Sequence, residues 1–322
     1  MTPQPLVSFV VPCYNYGRYL PDCLSAIFGQ EGDYRFEVIA IDDASSDNTQ
    51  EVLEQFRDPR MRVIVHEKNE GHVRTISQGL LEARGKYVSR IDPDDRHRPW
   101  FLKEAVSRLE RHPEVGFVYG DAALIGPGGQ IYEETSDRMH EGRDYKGNEL
   151  IPLLLNNFVC APTTMARREA WVETLPVPAN FAFSDWFFNI MIARRYEFCY
   201  VARVLADYRV HDSNLHTQVV RDKSEEPSIR RLLDRVFSER EEDPELERKK
   251  QAVRRKVYSH QYLTLANKYF GAGLRQDSRR CYFTALRYSP GEALSFTALR
   301  RLAATYMEPE IYSKAKRVLG RA

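Results

Sequence analysis

Tyr87-Val88-Ser89-Arg90-Ile91-Asp92-Pro93-Asp94-Asp95 decides how the chain is read, because a strand-like run ends there in three carboxylates within four residues. The stretch from Pro99 to Arg111 that follows reads as a helix. Like charges this close repel one another unless a cation neutralises them. A set of oxygen ligands suits Mg²⁺ or Mn²⁺, which take one or two carboxylates and complete their shell with water and phosphate oxygens. An isolated D-x-D-D also serves as a solvated, helix-capping turn, so its surroundings decide.

Upstream, strands and helices alternate at short intervals. Leu6 to Val11 is an apolar, β-branched run closed by Pro12, and Val38 to Ile41 runs into Asp42-Asp43. Both read as buried strands. Between them Leu20, Cys23, Leu24 and Ile27 recur at helical spacing. Ser45, Ser46 and Asp47 are capping residues for a helix carrying Val52, Leu53 and Phe56, and Met61 to Val65 is a third strand. Val73, Ile76, Leu80 and Ala83 form another helical stripe that Gly85 ends. This alternation predicts an α/β fold, with a mostly parallel sheet flanked by helices on both faces. Ligands of such sheets bind beyond the carboxyl ends of the strands, where the acidic groups converge.

From about Val115 the pattern is less regular, with a strand-like Gly116 to Tyr119, a turn at Gly126 to Gly129 and a helix-like Trp186 to Arg194. Arg221 to Lys256 is more than half charged and reads as a linker, and Tyr258 to Ala322 reads as amphipathic helices forming a C-terminal appendage.

The composition narrows the class. Across 322 residues the 47 basic and 46 acidic side chains nearly cancel, so no nucleic-acid partner is expected. Five cysteines, an odd number without C-x-x-C spacing, argue against a disulfide framework or zinc ribbon and suit a reducing compartment. No apolar run approaches the ~18 residues that span a bilayer, and the N-terminus lacks a signal-peptide pattern, so the expected location is cytoplasmic. Near the C-terminus, Arg300, Arg301, Lys314, Lys316, Arg317 and Arg321 alternate with Leu302, Tyr306, Ile311 and Leu319. Such a mixture suits either a solvated helix face or peripheral contact with an anionic bilayer.

The second acidic strand end is Ile39-Ala40-Ile41-Asp42-Asp43-Ala44-Ser45-Ser46-Asp47. A carboxylate there can accept the imide N–H of uracil or the hydroxyls of ribose. It is also compatible with a helix cap or with a receiver-type acidic pocket, although the second half of the chain has no place in a receiver.

Five ordered blocks resemble the inverting GT-A glycosyltransferases, similar to family 2, that build bacterial surface polysaccharides. They are Val7 to Asn15, Ile41 to Asp47, Asn69-Glu70-Gly71, Ala83 to Val88 and Asp92 to Asp95. Later blocks at Val118 to Asp121, Ala166 to Ala170, Ser184-Asp185-Trp186 and Tyr208 to Asp212 resemble the same family. The resemblance implies a Rossmann-like GT-A domain over residues 1–220, with a nucleotide-binding half at 1–114 and an acceptor and catalytic half at 115–220. Residues 221–322 remain as the charged linker and helical region.

It further implies a nucleotide-sugar donor, most often a UDP-sugar, and a saccharide or lipid-linked acceptor. Pro12, Tyr14, Asn15 and Asp43 would bind the donor, Asp92 would face the ribose, and Asp94 would hold Mn²⁺ or Mg²⁺ with His211 approaching it. Asp185 would be the catalytic base that deprotonates the acceptor hydroxyl. Asp95, Arg167 and Arg168 would be contacts for acceptor or phosphate, although an Arg pair before a helix is also commonly solvated. Two departures stand out: Ile76 and Ser77 occupy positions where many relatives carry Arg-Asn, and Ser184 replaces the usual Glu before the catalytic Asp.

Other functions fit less well. A sugar-nucleotide pyrophosphorylase expects a Gly-rich basic loop after the first strand, and Pro12 to Arg18 is not one. A dinucleotide oxidoreductase needs G-x-G-x-x-G there. A non-catalytic module with the same fold would have no use for Asp43, Asp94 and Asp185 together.

Overall fold

Val7–Cys13 forms β1, and every residue in it is buried, as an unbroken apolar strand covered on both faces requires. In this computed structural model, which describes residues 4–135, 139–178, 181–211, 220 and 222–307, β1 is the reference strand of the sheet. It pairs in parallel with β2 (Phe36–Asp42) along its whole length and with β4 (Tyr87–Arg90) as far as Val10↔Arg90. β3 (Met61–Val65) continues the parallel ladder beyond β2.

The connecting helices are α1 (Leu20–Phe28), α2 (Thr49–Gln55) and α3 (His72–Glu82). α1 buries Leu20, Cys23, Leu24 and Ile27, the stripe its sequence spacing predicts. α3 lies close on the sheet: a Cβ at Gly79 would fall 2.3 Å from Val10 Cγ1, so only glycine permits that approach.

The rest of the sheet is built from β5 (Arg96–His97), β6 (Val115–Ile125), β7 (Ile131–Glu133), β8 (Tyr145–Gly147), β9 (Met165–Arg167) and β10 (Glu197–Arg209). The strand order is β3-β2-β1-β4-β9-β6-β10-β5, with β7 beside β6 and β8 beside β10. β6 and β10 are parallel, whereas β9 runs antiparallel to both β4 and β6, and β5 antiparallel to β10. Residues from both sides of position 114 therefore share one sheet. Helices α4 (Phe101–Arg111), α5 (Leu150–Leu155), α6 (Arg168–Val172) and α7 (Asp185–Ala193) complete this part of the chain.

Contacts divide the chain into two units, Met1–Leu153 with Asn157–Asp212, and Leu154–Asn156 with Ser213–Ala322. The second contains α8 (Glu225–Ser238), α9 (Pro244–Gly271), α10 (Arg275–Tyr288), α11 (Pro290–Ala293) and α12 (Phe296–Ala304). The charged linker expected over 221–256 is thus corrected to helix. Within the charged run, Ile229, Leu232, Leu233, Val236 and Phe237 make a buried helical stripe, and Asp243 caps α9 by accepting from the Glu245 N–H. Its charges pair rather than solvate: Lys250 Nζ is wholly buried and lies 2.7 Å from Glu241 Oε1 and 2.9 Å from Glu247 Oε2. Among the described residues, no helix is long and apolar enough to cross a membrane. Lys314, Lys316, Arg317, Arg321, Ile311 and Leu319 lie outside the described residues.

Candidate active site

The chain leaves β1 toward β2 and β3 on one side and joins β4 on the other, so the strand order reverses between β1 and β4. Beyond Val10 those two strands no longer pair, and a crevice opens at their carboxyl ends, the usual ligand position in such sheets. Pro12 is buried in β1 opposite Ile41. Its missing N–H is tolerated because the ladder to β4 has already ended. Tyr14 stands out on the rim, half exposed. Asn15 holds a left-handed backbone, φ 59°, and ties two loops together: its N–H donates to Ser45 Oγ at 2.9 Å and its side-chain oxygen accepts from the Ser46 N–H at 2.7 Å.

Asp43 is held from three sides. Its backbone N–H donates to the Cys13 carbonyl. Its Oδ1 accepts from the Glu70 N–H at 2.7 Å and lies 2.8 Å from His66 Nδ1, while Oδ2 accepts from the Gly71 N–H at 2.9 Å. Gly71 adopts φ 92°, a conformation open to glycine, and this lets two successive amides face one carboxylate. Burial acts to raise the Asp43 pKa, but the Glu70 amide, His66 and the Gly71 amide outweigh it and hold the carboxyl below its ordinary value. His66 responds in the opposite sense: burial lowers it, yet its hydrogen bonds to Asp43 and Gln78 leave it raised. Nothing in the sequence around His66 marks it as part of the site.

The acidic turn after β4 is assembled by a distant strand. Antiparallel pairing of β5 with β10 sets Ala206 against His97 and Asp207 against Arg96. Arg209 then donates from its backbone N–H to Asp95 Oδ1 at 2.8 Å and from Nε to the Asp94 carbonyl at 2.6 Å. Its Nη1 reaches the Gly126 and Pro127 carbonyls and its Nη2 reaches Asp22 Oδ2 at 3.0 Å. His211 Nε2 lies 2.9 Å from Asp94 Oδ2, and the imidazole stacks on Tyr19 with ring centroids 5.2 Å apart.

Asp94 and Asp95 both have raised pKa values, first through burial and then through repulsion from neighbouring carboxylates. Burial would raise Asp92 too, but Arg90, donating from Nη2 to Asp92 Oδ2 at 2.6 Å, holds it low. Asp95, expected as an acceptor or phosphate contact, is 1% exposed, and its Oδ1 accepts from the Arg209 N–H.

The donor set fits a hard divalent cation that needs few protein ligands. Asp94 Oδ2 and His211 Nε2 are adjacent, at present engaged with each other, so a bound ion would take the place of that contact, and excess negative charge is gathered around Asp94. Among the described residues, no group of three His, Cys, Asp or Glu is arranged to hold a metal by itself. Mn²⁺ and Mg²⁺ commonly complete such a two-ligand shell with phosphate oxygens and water.

Asp185 is the first residue of α7, and its Oδ2 accepts from Asn157 Nδ2 at 2.8 Å. Its charge acts on both side chains beside Asp92, Arg90, which is cationic, and His72, whose pKa burial holds below its ordinary value. Arg167 and Arg168 are corrected: neither joins this group. Because β9 is antiparallel to β4, Arg167 sits opposite Tyr87, at the far end of β4 from the acidic turn. Arg167 donates to the carbonyls of Val115, Leu109 and His112, and Arg168 to that of Ala83. Arg90, His72, His66 and Asn157 are the members of the site that sequence reasoning missed.

A family model described as glycosyl transferase family 2 matches residues 8–175, more than half of the chain. An uncharacterized protein of Mycobacterium tuberculosis is 28% identical over 209 residues, covering 64% of this chain and 59% of that protein's length. Among solved structures, Staphylococcus aureus TarS 1-349 in complex with UDP-GlcNAc superposes with a TM-score of 0.68 at 17% identity, covering 93% of this chain and 89% of that one. The mannosyltransferase PcManGT of Pyrobaculum calidifontis, in complex with GDP-Man and Mn²⁺, superposes with a TM-score of 0.60 at 18% identity, covering 94% and 86%. With the family model matching more than half of its length, over the sheet that carries the acidic turn, the chain belongs to glycosyl transferase family 2.

Proposed function

We propose that the protein is a metal-dependent, inverting glycosyltransferase that moves a sugar from a nucleotide-sugar donor, a UDP-sugar first of all, onto a saccharide or lipid-linked acceptor in cell-surface polysaccharide synthesis. One observation supports this reading: Asp43 and Asp92, from two different strand ends, and Asp185 of α7 all act electrostatically on His72, and Asp92 acts in turn on Asp94.

In this reading the nucleobase lies against Pro12 and Tyr14, beside Asn15, and Asp43 accepts from it, its carboxylate already oriented by three donors. Asp92 faces the ribose. Asp94 and His211 hold Mn²⁺ or Mg²⁺, whose positive charge, when bound, offsets the charge that builds on the leaving diphosphate. Asp185 takes the proton of the acceptor hydroxyl while that oxygen attacks C1 from the face opposite the diphosphate, which inverts the anomeric centre. Residues 1–114 supply the donor side and 115–220 the base and acceptor side. The nucleotide sugars in the two related structures, and the Mn²⁺ in one of them, favour the same donor class and cofactor.

We place the enzyme in the cytoplasm, with the C-terminal helices available to a membrane that carries the acceptor. Phe296 of α12 is 80% exposed, with Leu299 and Tyr306 exposed nearby, and Arg300 and Arg301 lie between them in sequence. Transfer assayed with UDP-, GDP- and dTDP-sugars in Mn²⁺ tests the reading. It expects turnover from at least one donor and a product of inverted configuration; no binding of any nucleotide sugar, or retained configuration, would overturn it.

A further inference from the structure

Arg90, the last residue of β4, has a side chain only 5% exposed, yet among the described residues its guanidinium makes a single hydrogen bond, from Nη2 to Asp92 Oδ2. The contact is end-on. In a side-on pair Nε and Nη2 would engage both carboxylate oxygens. Here Arg90 Nε and Asp92 Oδ1 are both buried without hydrogen-bond partners. His72 Nε2, at 3.9 Å from Asp92 Oδ1, is beyond hydrogen-bond reach. An ion pair at the crevice thus retains one unused donor and one unused acceptor, a costly state for buried groups unless something else completes them.

We propose that Arg90 and Asp92 form a hydroxyl-reading couple for the donor, Arg90 donating to the oxygen of a hydroxyl and Asp92 accepting the proton of the same or the adjacent one. The inference rests on the donor-binding reading above and adds Arg90 to it. A hydroxyl both donates and accepts, so a single such group satisfies both partners. A phosphate oxygen satisfies Arg90 but offers no proton to Asp92 and repels it. Vicinal hydroxyls occur on the nucleotide's ribose and on the transferred sugar, and both present this chemistry.

Calorimetric titration in Mn²⁺ separates the sources. The probes are UDP, 2′,3′-dideoxy-UDP, UDP-glucose and inorganic pyrophosphate, with GDP, 2′,3′-dideoxy-GDP and GDP-mannose if the wild type prefers guanine. If the ribose is read, wild-type affinity falls on the order of 10- to 100-fold from UDP to the dideoxy nucleotide, the magnitude of a lost charged hydrogen bond, and Arg90→Met abolishes that difference. If the transferred sugar is read, Arg90→Met instead abolishes the gain of UDP-glucose over UDP. Arg90→Lys, which keeps the charge but not the fork, should recover only part of either. Equal affinities of the wild type within both probe pairs would overturn the inference without any variant having to fold. So would an equal loss on pyrophosphate, which marks a phosphate contact. A wild type that binds none of the nucleotides removes the glycosyltransferase reading itself, and this inference with it.

Discussion

Asn157 Nδ2 donates to Asp185 Oδ2 at 2.8 Å, and Asn157 Oδ1 in turn accepts from Asn189 Nδ2 at 3.3 Å, one turn along α7. A carboxylate fixed through one oxygen has the other available for a proton. Replacing Asp185 with Asn should therefore cut transfer by about 10²- to 10⁴-fold, the usual worth of a general base, with donor affinity retained. Asn157→Ala, which frees the carboxylate to rotate, should lower kcat about tenfold at unchanged donor KM. Steady-state kinetics decide this, and wild-type turnover by Asp185→Asn would remove it from the mechanism.

Asp94 and His211 make a second prediction, on metal. Nucleotide binding should strengthen by about tenfold or more in Mn²⁺, and Asp94→Ala should erase that enhancement, because a chelated diphosphate is held through the ion. His211→Ala should erase part of it. Excess EDTA should stop turnover, and added Mn²⁺ should restore it. Undiminished transfer in EDTA would exclude the assignment.

The His66–Asp43 pair predicts a pH dependence with a definite sign. The His66 pKa is raised in the folded protein above its ordinary 6.5. Its contribution to stability is therefore fully present below about 6.5 and is lost as pH rises through the folded value. Asp43, shifted down, contributes above its ordinary value of 3.8 and loses that contribution as pH falls through its folded value. The difference in thermal midpoint between wild type and His66→Gln should consequently be largest near pH 6 and shrink toward pH 9. A difference that grows with pH would show His66 to be neutral in the folded state.

What was legible in the sequence was local. The stripe of α1, β3 from Met61 to Val65 and the carboxylates at the ends of β2 and β4 follow from side-chain period and from turn chemistry within a few residues. The remainder depends on long-range contacts. His66 meets Asp43 across 23 residues, Asn157 meets Asp185 across 28, and Arg209 meets Asp94 across 115. None of them sits in a motif of its own. Arg167-Arg168 was misread for a related reason: two adjacent cations do not reveal that β9 is antiparallel, and direction alone puts Arg167 at the wrong end of β4. The charged run before Lys256 misled because its apolar positions are few, although Ile229, Leu232, Val236 and Phe237 do keep helical spacing.

Direction also separates two arginines in a last prediction. Arg209 is 1% exposed and supplies donors to the carbonyls of Asp94, Gly126 and Pro127. Removing it leaves buried acceptors unpaired, at about 1–3 kcal/mol each. Arg209→Met should therefore lose on the order of 3–5 kcal/mol of stability, a large share of the ~5–15 kcal/mol typical of a folded chain. Arg209→Lys keeps the charge facing Asp22 but cannot fork to three carbonyls, so most of the loss should remain. Arg168→Ala, at the opposite end of the sheet with one carbonyl partner, should leave kcat and donor KM unchanged. Urea denaturation with parallel kinetics tests all three. If Arg209→Lys is as stable as wild type, then the charge pair with exposed Asp22, and not the carbonyl cradle, is what holds the acidic turn in place.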